Sequence, residues 1–199
     1  MTSQNYKSDV SKQTPRSVLL VIDVQESFKA DTVTWATRNN PAFESNVTKL
    51  IEAYRGAALP IVFLLHQNLK PESNFNPSSP FYRFMDFVVP GTGEAVLQKT
   101  TISAFASTDL ARRLTQWEIN HLRVTGIQTE QCCETTTRDA SDRGYQVDFV
   151  TDATLSFDIP HWAGGPALSA DEVVRRTEYA LAGRFAKTVS TKEVLESLR

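Results

Sequence analysis

Three reactive side chains stand where buried segments should end: Asp23 directly after the apolar run VLLVI, Lys99 after VLQ, and Cys132 six residues beyond Gly126. A cysteine attacks as its thiolate. If Cys132 opens a helix, unpaired backbone N–H groups and the helix field favour that form, and a neighbouring lysine favours it further. An aspartate at the end of an apolar strand is costly unless paired; a general base is one explanation, and a turn or capping residue is the other. Taken singly, Lys99 reads as a solvated lysine and Cys132 as a small core residue, the usual fate of a free cysteine. Their coincidence at strand ends is the stronger signal, because ligands of open parallel sheets bind beyond the carboxyl ends of the strands. Cys133, a helical step away, should point into the core.

Weaker candidates surround these three. His66 ends a second apolar run and suits contact with substrate or a metal. Its neighbourhood HQNLKPES, however, supplies no second histidine or aspartate at ligand spacing, and a first-row metal normally takes three or more protein ligands. We therefore expect no metal. His121 begins a strand, the wrong edge of the sheet for chemistry, while His161, in DIPHWAGG, either borders a pocket with Trp162 or sits on the surface.

The elements that must position these residues follow from hydrophobic periodicity. Residues 17–22 read as a central strand because five consecutive apolar residues suit a strand covered on both faces. Asn40 and Pro41 resemble an N-cap and first helical residue, with Phe43, Val47, Leu50, Ile51 and Tyr54 on one face up to Gly56. Strands are predicted over 60–65, 95–98, 119–125 and 145–150. Helices are predicted around Leu110, Leu114 and Trp117, over 130–143, and after Ser169 and Ser190, each followed three residues later by glutamate as in a capping box. Residues 67–93, with four prolines, read as a long irregular wall. Strand and helix alternating in this way define an α/β fold, a three-layer α/β/α sandwich around a mostly parallel, Rossmann-like open sheet.

Composition narrows the function classes. The chain of 199 residues suits a single domain over 16–199 preceded by a polar, flexible arm over 1–15. Its formal charge of -2, without a basic cluster, points away from nucleic acid. Apolar runs are strand-sized, so no membrane partner is expected, and two adjacent free thiols fit a cytoplasmic protein. GxGxxG, GxxxxGK[ST] and CxxC are absent.

Three segments in order, LLVIDVQESF, LQKTTISAF and VTGIQTEQCCETTTRDASDRGYQVDFVTDAT, resemble the isochorismatase-like cysteine hydrolases over about residues 16–195. The superfamily includes nicotinamidases, N-carbamoylsarcosine amidohydrolases and ureidoacrylate and biuret hydrolases. The resemblance implies a catalytic trio of Cys132, Asp23 and Lys99. It also implies a cis peptide between Ile127 and Gln128, with the backbone N–H groups of Gln128 and Cys132 as the oxyanion site. It places Phe28, Phe105 and the loop bearing Phe81 at a pocket mouth often completed by a neighbouring subunit; His66 and Trp162 are further pocket candidates. The implied chemistry is cleavage of a small amide or ureido C–N bond through a thioester, with a small-molecule substrate, no cofactor and a homo-oligomer, dimer or tetramer. Two alternatives stand beside it: isochorismatase-type vinyl ether hydrolysis, and a catalytically inactive homologue that binds a small molecule.

Overall fold

The apolar run at 18–22 is fully buried because its strand lies inside the sheet and meets side chains on both faces. The computed structural model describes residues 16–199, and the arm expected over 1–15 lies outside them. In chain order the elements are β1 (Ser17–Ile22), α1 (Thr32–Ala36), α2 (Phe43–Gly56), β2 (Ile61–His66), β3 (Ala95–Lys99), α3 (Leu110–Gln116), β4 (His121–Ile127), α4 (Glu134–Asp142), β5 (Gln146–Leu155), α5 (Ala170–Leu181), β6 (Lys187–Val189) and α6 (Thr191–Ser197). The six strands form one parallel sheet in the order β3-β2-β1-β4-β5-β6. Strand order reverses between β1 and β4. That is the switch point at which such sheets open a crevice.

Two apolar cores flank the sheet. On one face Phe43, Val47, Leu50, Ile51 and Tyr54 of α2 and Val194 of α6 pack against Leu19, Val21 and Phe63. On the other, Leu110, Leu114, Ala140 and Leu181 from α3, α4 and α5 pack against Leu20, Ile22, Leu64 and Val124. The alternation of Leu19 and Val21 with Leu20 and Ile22 is the period of two expected of a strand. The three-layer expectation holds.

Several boundaries differ from the sequence expectation for identifiable reasons. Helix α2 begins at Phe43, because Asn40 adopts φ 56° and gives its amide to the carbonyls of Asp152 and Thr154, at 3.0 and 2.8 Å. The helix expected over 130–143 opens instead with a π-type turn over Thr129–Cys133, a feature that recurs at functional sites. Strand β5 runs on to Leu155 across a bulge where pairing jumps from Val124–Phe149 to Gly126–Thr154. Both expected capping boxes are present, at Ser169 with Glu172 and Ser190 with Glu193. No described helix is long and apolar enough to cross a membrane.

Candidate active site

The carboxyl ends of β1, β2, β3 and β4 converge on one buried cluster. Lys99, the last residue of β3, pairs in register with His66 of β2. From there its side chain spans the end of β2 to place Nζ 2.7 Å from Asp23 Oδ2, at the end of β1. The same ammonium stands 3.3 Å from Cys132 Sγ and 3.1 Å from the carbonyl of Thr101. Cys132 Sγ and the Thr101 carbonyl are its hydrogen-bond partners, and Asp23 is its ion-pair partner. His66 Nδ1 is the fourth neighbour, at 3.4 Å. Both Asp23 and Lys99 side chains are fully withdrawn from solvent, and Cys132 is 7% exposed. The Lys99–Asp23 contact is an ion pair set off the hydrogen-bond direction, and Asp23 Oδ1 has no donor among the described residues.

Backbone geometry brings the three strand ends this close. Asp23 adopts left-handed geometry at φ 52°, which turns the chain out of the sheet directly after β1. Gly126 has φ 132°, and a Cβ built there would lie 2.0 Å from the carbonyl oxygen of Ile22. Only glycine lets β4 pass the end of β1 at that distance. The Ile127–Gln128 peptide is cis, as the resemblance implies. The Gln128 carbonyl then accepts from the N–H groups of Gln131 and Cys133, at 3.2 and 3.1 Å, and so anchors the turn that carries Cys132.

Electrostatics differ from the sequence expectation at one point. Helix position and lysine were expected to favour the Cys132 thiolate, yet burial, followed by the charge of Asp23, pushes this thiol up to about 12, outweighing Lys99. Burial also raises Asp23 despite Lys99, and the charges of Asp23 and Cys132 raise Lys99 against the effect of its burial. One cation thus supports one anion. Loss of the single proton shared by Asp23 and Cys132 would place two anions beside Lys99, whereas its transfer between them leaves the net charge unchanged. Burial and the charge of Lys99 lower His66 to about 4, so its ring is neutral at ordinary pH.

Of the expected pocket residues, His66 and Phe28 belong to one aromatic wall. His66 meets Phe75 edge-on with centroids at 5.6 Å, Phe75 meets Phe28 at 5.0 Å, and Phe28 stacks on Phe157 at 5.9 Å. Phe157 gave no signal in the sequence, because β5 was expected to end before it. Phe81 is 40% exposed, and its carbonyl accepts from Ser27 Oγ at 3.0 Å. Trp162 is 93% exposed, and its ring partner is His161, at 5.9 Å. Phe105 is 6% exposed, lies in the same buried cluster as Cys132, and stacks on Tyr145 at 5.9 Å, beneath the guanidinium of Arg143. Its ring partner Tyr145 directly precedes β5.

A groove of about 910 Å³ lies at the opposite edge of the sheet, bordered by His121, Arg123 and Asp148. Asp148 there pairs with His121 at 3.0 Å and with Arg123 at 3.3 Å, and no cysteine borders the groove. The cluster around Cys132, by contrast, joins a thiol, a carboxylate and an ammonium. Among the described residues, no three His, Cys, Asp or Glu side chains are grouped to hold a metal ion.

A parallel α/β sheet with a buried aspartate, lysine and cysteine meeting at its switch point defines a hydrolase-type site. The isochorismatase domain model matches residues 17–177, and the chain belongs to the isochorismatase family of hydrolases. It is 32% identical to the isochorismatase family protein YrdC of Bacillus subtilis over 142 residues, covering 71% of this chain and 75% of that protein. It is 30% identical to Nicotinamidase 3 of Arabidopsis thaliana over 214 residues, covering 99% and 98%. A solved structure of an isochorismatase-family protein from Chromobacterium violaceum superposes with a TM-score of 0.87 at 32% identity, covering 92% of this chain and 93% of that one.

Proposed function

We propose that this hydrolase cleaves a small amide or ureido C–N bond with Cys132 as nucleophile, Asp23 as the proton carrier and Lys99 as the fixed cation. The observation that carries the reading is the placement of one buried ammonium 2.7 Å from a carboxylate and 3.3 Å from a thiol. Asp23 accepts the thiol proton as Sγ bonds to the carbonyl carbon, and the carbonyl oxygen takes up the negative charge. The N–H groups of Gln128 and Cys132 serve that oxyanion. Asp23 then protonates the leaving nitrogen as the C–N bond breaks and leaves a thioester. Water attacks the thioester, giving its proton to Asp23, and Asp23 returns that proton to sulfur as the C–S bond breaks. Lys99 stays charged throughout, so each transfer occurs at constant net charge, which a buried site favours. No step requires a cofactor.

A relative named nicotinamidase supports amide cleavage, while the segment after β2 offers His66 without companion ligands. The deciding experiment is a substrate panel of amides, ureas, nicotinamide and isochorismate, with Cys132→Ala as control. Turnover of an amide or urea, lost in the variant, supports the reading. Turnover of isochorismate alone replaces it with vinyl ether cleavage, and inactivity throughout favours a binding homologue.

A further inference from the structure

Strand β1 leaves the sheet one rung too early. Its register with β2 ends at Ile22–Leu64, and Asp23 N–H still reaches the Leu64 carbonyl at 3.0 Å before φ 52° diverts the chain. Strand β2 continues to His66, whose peptide groups on that side would otherwise face no backbone partner. The side chain of Gln25 fills the gap. Its Oε1 accepts the His66 N–H at 2.6 Å, and its Nε2 donates to the His66 carbonyl at 3.2 Å. Gln25 is 0% exposed, so an unpaired amide there would carry the full cost of burial.

Gln25 also reaches both neighbours of that corner. Its N–H donates to the Asp23 carbonyl at 2.9 Å, and its backbone bridges Phe84 in antiparallel fashion. Ser27 Oγ, 3.5 Å from Gln25 Nε2, donates to the carbonyl of Phe81. One side chain therefore ties the Asp23 corner, the end of β2 and the segment 81–84 together.

We propose that Gln25 is a positioning residue of the site: it supplies the rung that β1 gives up at Asp23 and thereby locks His66 between Lys99 and Phe75. A capped strand end fixes the His66 backbone, and the edge-on contact with Phe75 fixes the ring. With the ring held there, an uncharged imidazole closes the side of the Lys99 ammonium that Asp23, Cys132 and Thr101 leave open. Without the rung, His66 is free to turn toward solvent, and Lys99 loses the packing that aims it at Asp23 and Cys132. The effect on turnover rests on the proposed amide hydrolysis; the effect on His66 does not.

The test is an NMR titration of the intact protein and of Gln25→Leu, which keeps the bulk and removes both hydrogen bonds. The chain has 3 histidines, and the spectrum of His66→Gln assigns the resonance. We expect His66 to move from about 4 toward 6.5, since distance from Lys99 and exposure both favour its protonation. We also expect kcat on the best amide of the panel to fall by about tenfold or more, with KM changed by less than about threefold, the pattern of disturbed positioning. Gln25→Asn, an amide one methylene short, shifts both in the same direction and replaces the Leu variant if that does not fold. A folded variant in which His66 still titrates near 4 overturns the proposal whatever the substrate. Release of His66 with unchanged kcat on a turned-over amide overturns the role in the reaction.

Discussion

The Lys99 ammonium lies 2.7 Å from the Asp23 carboxylate with both side chains wholly removed from water. Such a pair is a poor source of net stability, because desolvation offsets much of the attraction, but removal of one partner strands the other. Lys99→Met should therefore destabilise the fold by about 3–5 kcal/mol, and Asp23→Asn combined with Lys99→Met should recover a large part of that loss. Denaturant unfolding of the single and double variants measures both. A double variant no more stable than Lys99→Met would show that the stranded charge is not what costs.

Asp23→Asn separates two properties of Cys132 that are usually expected to change together. In the proposed reaction Asp23 both receives and returns the proton, so turnover in this variant should fall by about 10²–10⁴-fold. Yet the charge of Asp23 is among the causes that push the thiol up to about 12, and Lys99 remains to lower it. Alkylation of Cys132 by iodoacetamide should consequently extend to lower pH in this variant than in the parent protein. A profile displaced upward would mean that Asp23 promotes the thiolate by an interaction other than its charge.

The meeting of Cys132, Asp23 and Lys99 was legible in the sequence because each followed a segment whose apolar pattern marked a strand, and parallel sheets gather such ends. Gln25 was not legible. A glutamine two residues after an aspartate carries no pattern of its own, and its role arises from the left-handed turn at Asp23, which local composition does not encode. The packing of Phe105 was not legible for a different reason. Its distance along the chain from Lys99 does not give a direction, and the irregular segment after β3 turns it into the core against Tyr145. Strand β6 and helix α1, of 3 and 5 residues, are too short to display a period.

His66 should shape the acid side of the stability profile. Its folded-state value of about 4 lies below the ordinary 6.5, so between these the unfolded chain binds more protons than the folded one. Its contribution is complete above pH 6.5 and is lost as pH falls toward 4. The carboxyl of Asp23 has the opposite sign: raised by burial, it is protonated more readily in the folded state and does not add to this loss. In His66→Gln the decline in unfolding free energy between pH 6.5 and 4 should be shallower than in the parent, as read by urea titrations at fixed pH values. Parallel profiles would place the acid sensitivity on other groups.

Phe105→Ala should act on the fold rather than on the choice of substrate. The ring is 6% exposed, packed with Tyr145 and covered by Arg143, which Asp139 holds at 2.6 Å; Asp139 in turn receives Ser103 Oγ at 2.5 Å. Truncation removes a buried aromatic from this layer and leaves a cavity, at a cost of about 3–5 kcal/mol. The polar contacts of Lys99 run to Asp23, Cys132 and Thr101, and none of them is made by the ring. Below its lowered melting temperature, the variant should keep the substrate ranking of the parent and a kcat/KM within about threefold, a change of under about 1 kcal/mol in transition-state stabilisation. Unfolding curves and the substrate panel together check this. A variant of parental stability with an altered substrate ranking would return Phe105 to the pocket wall and contradict its place in the core.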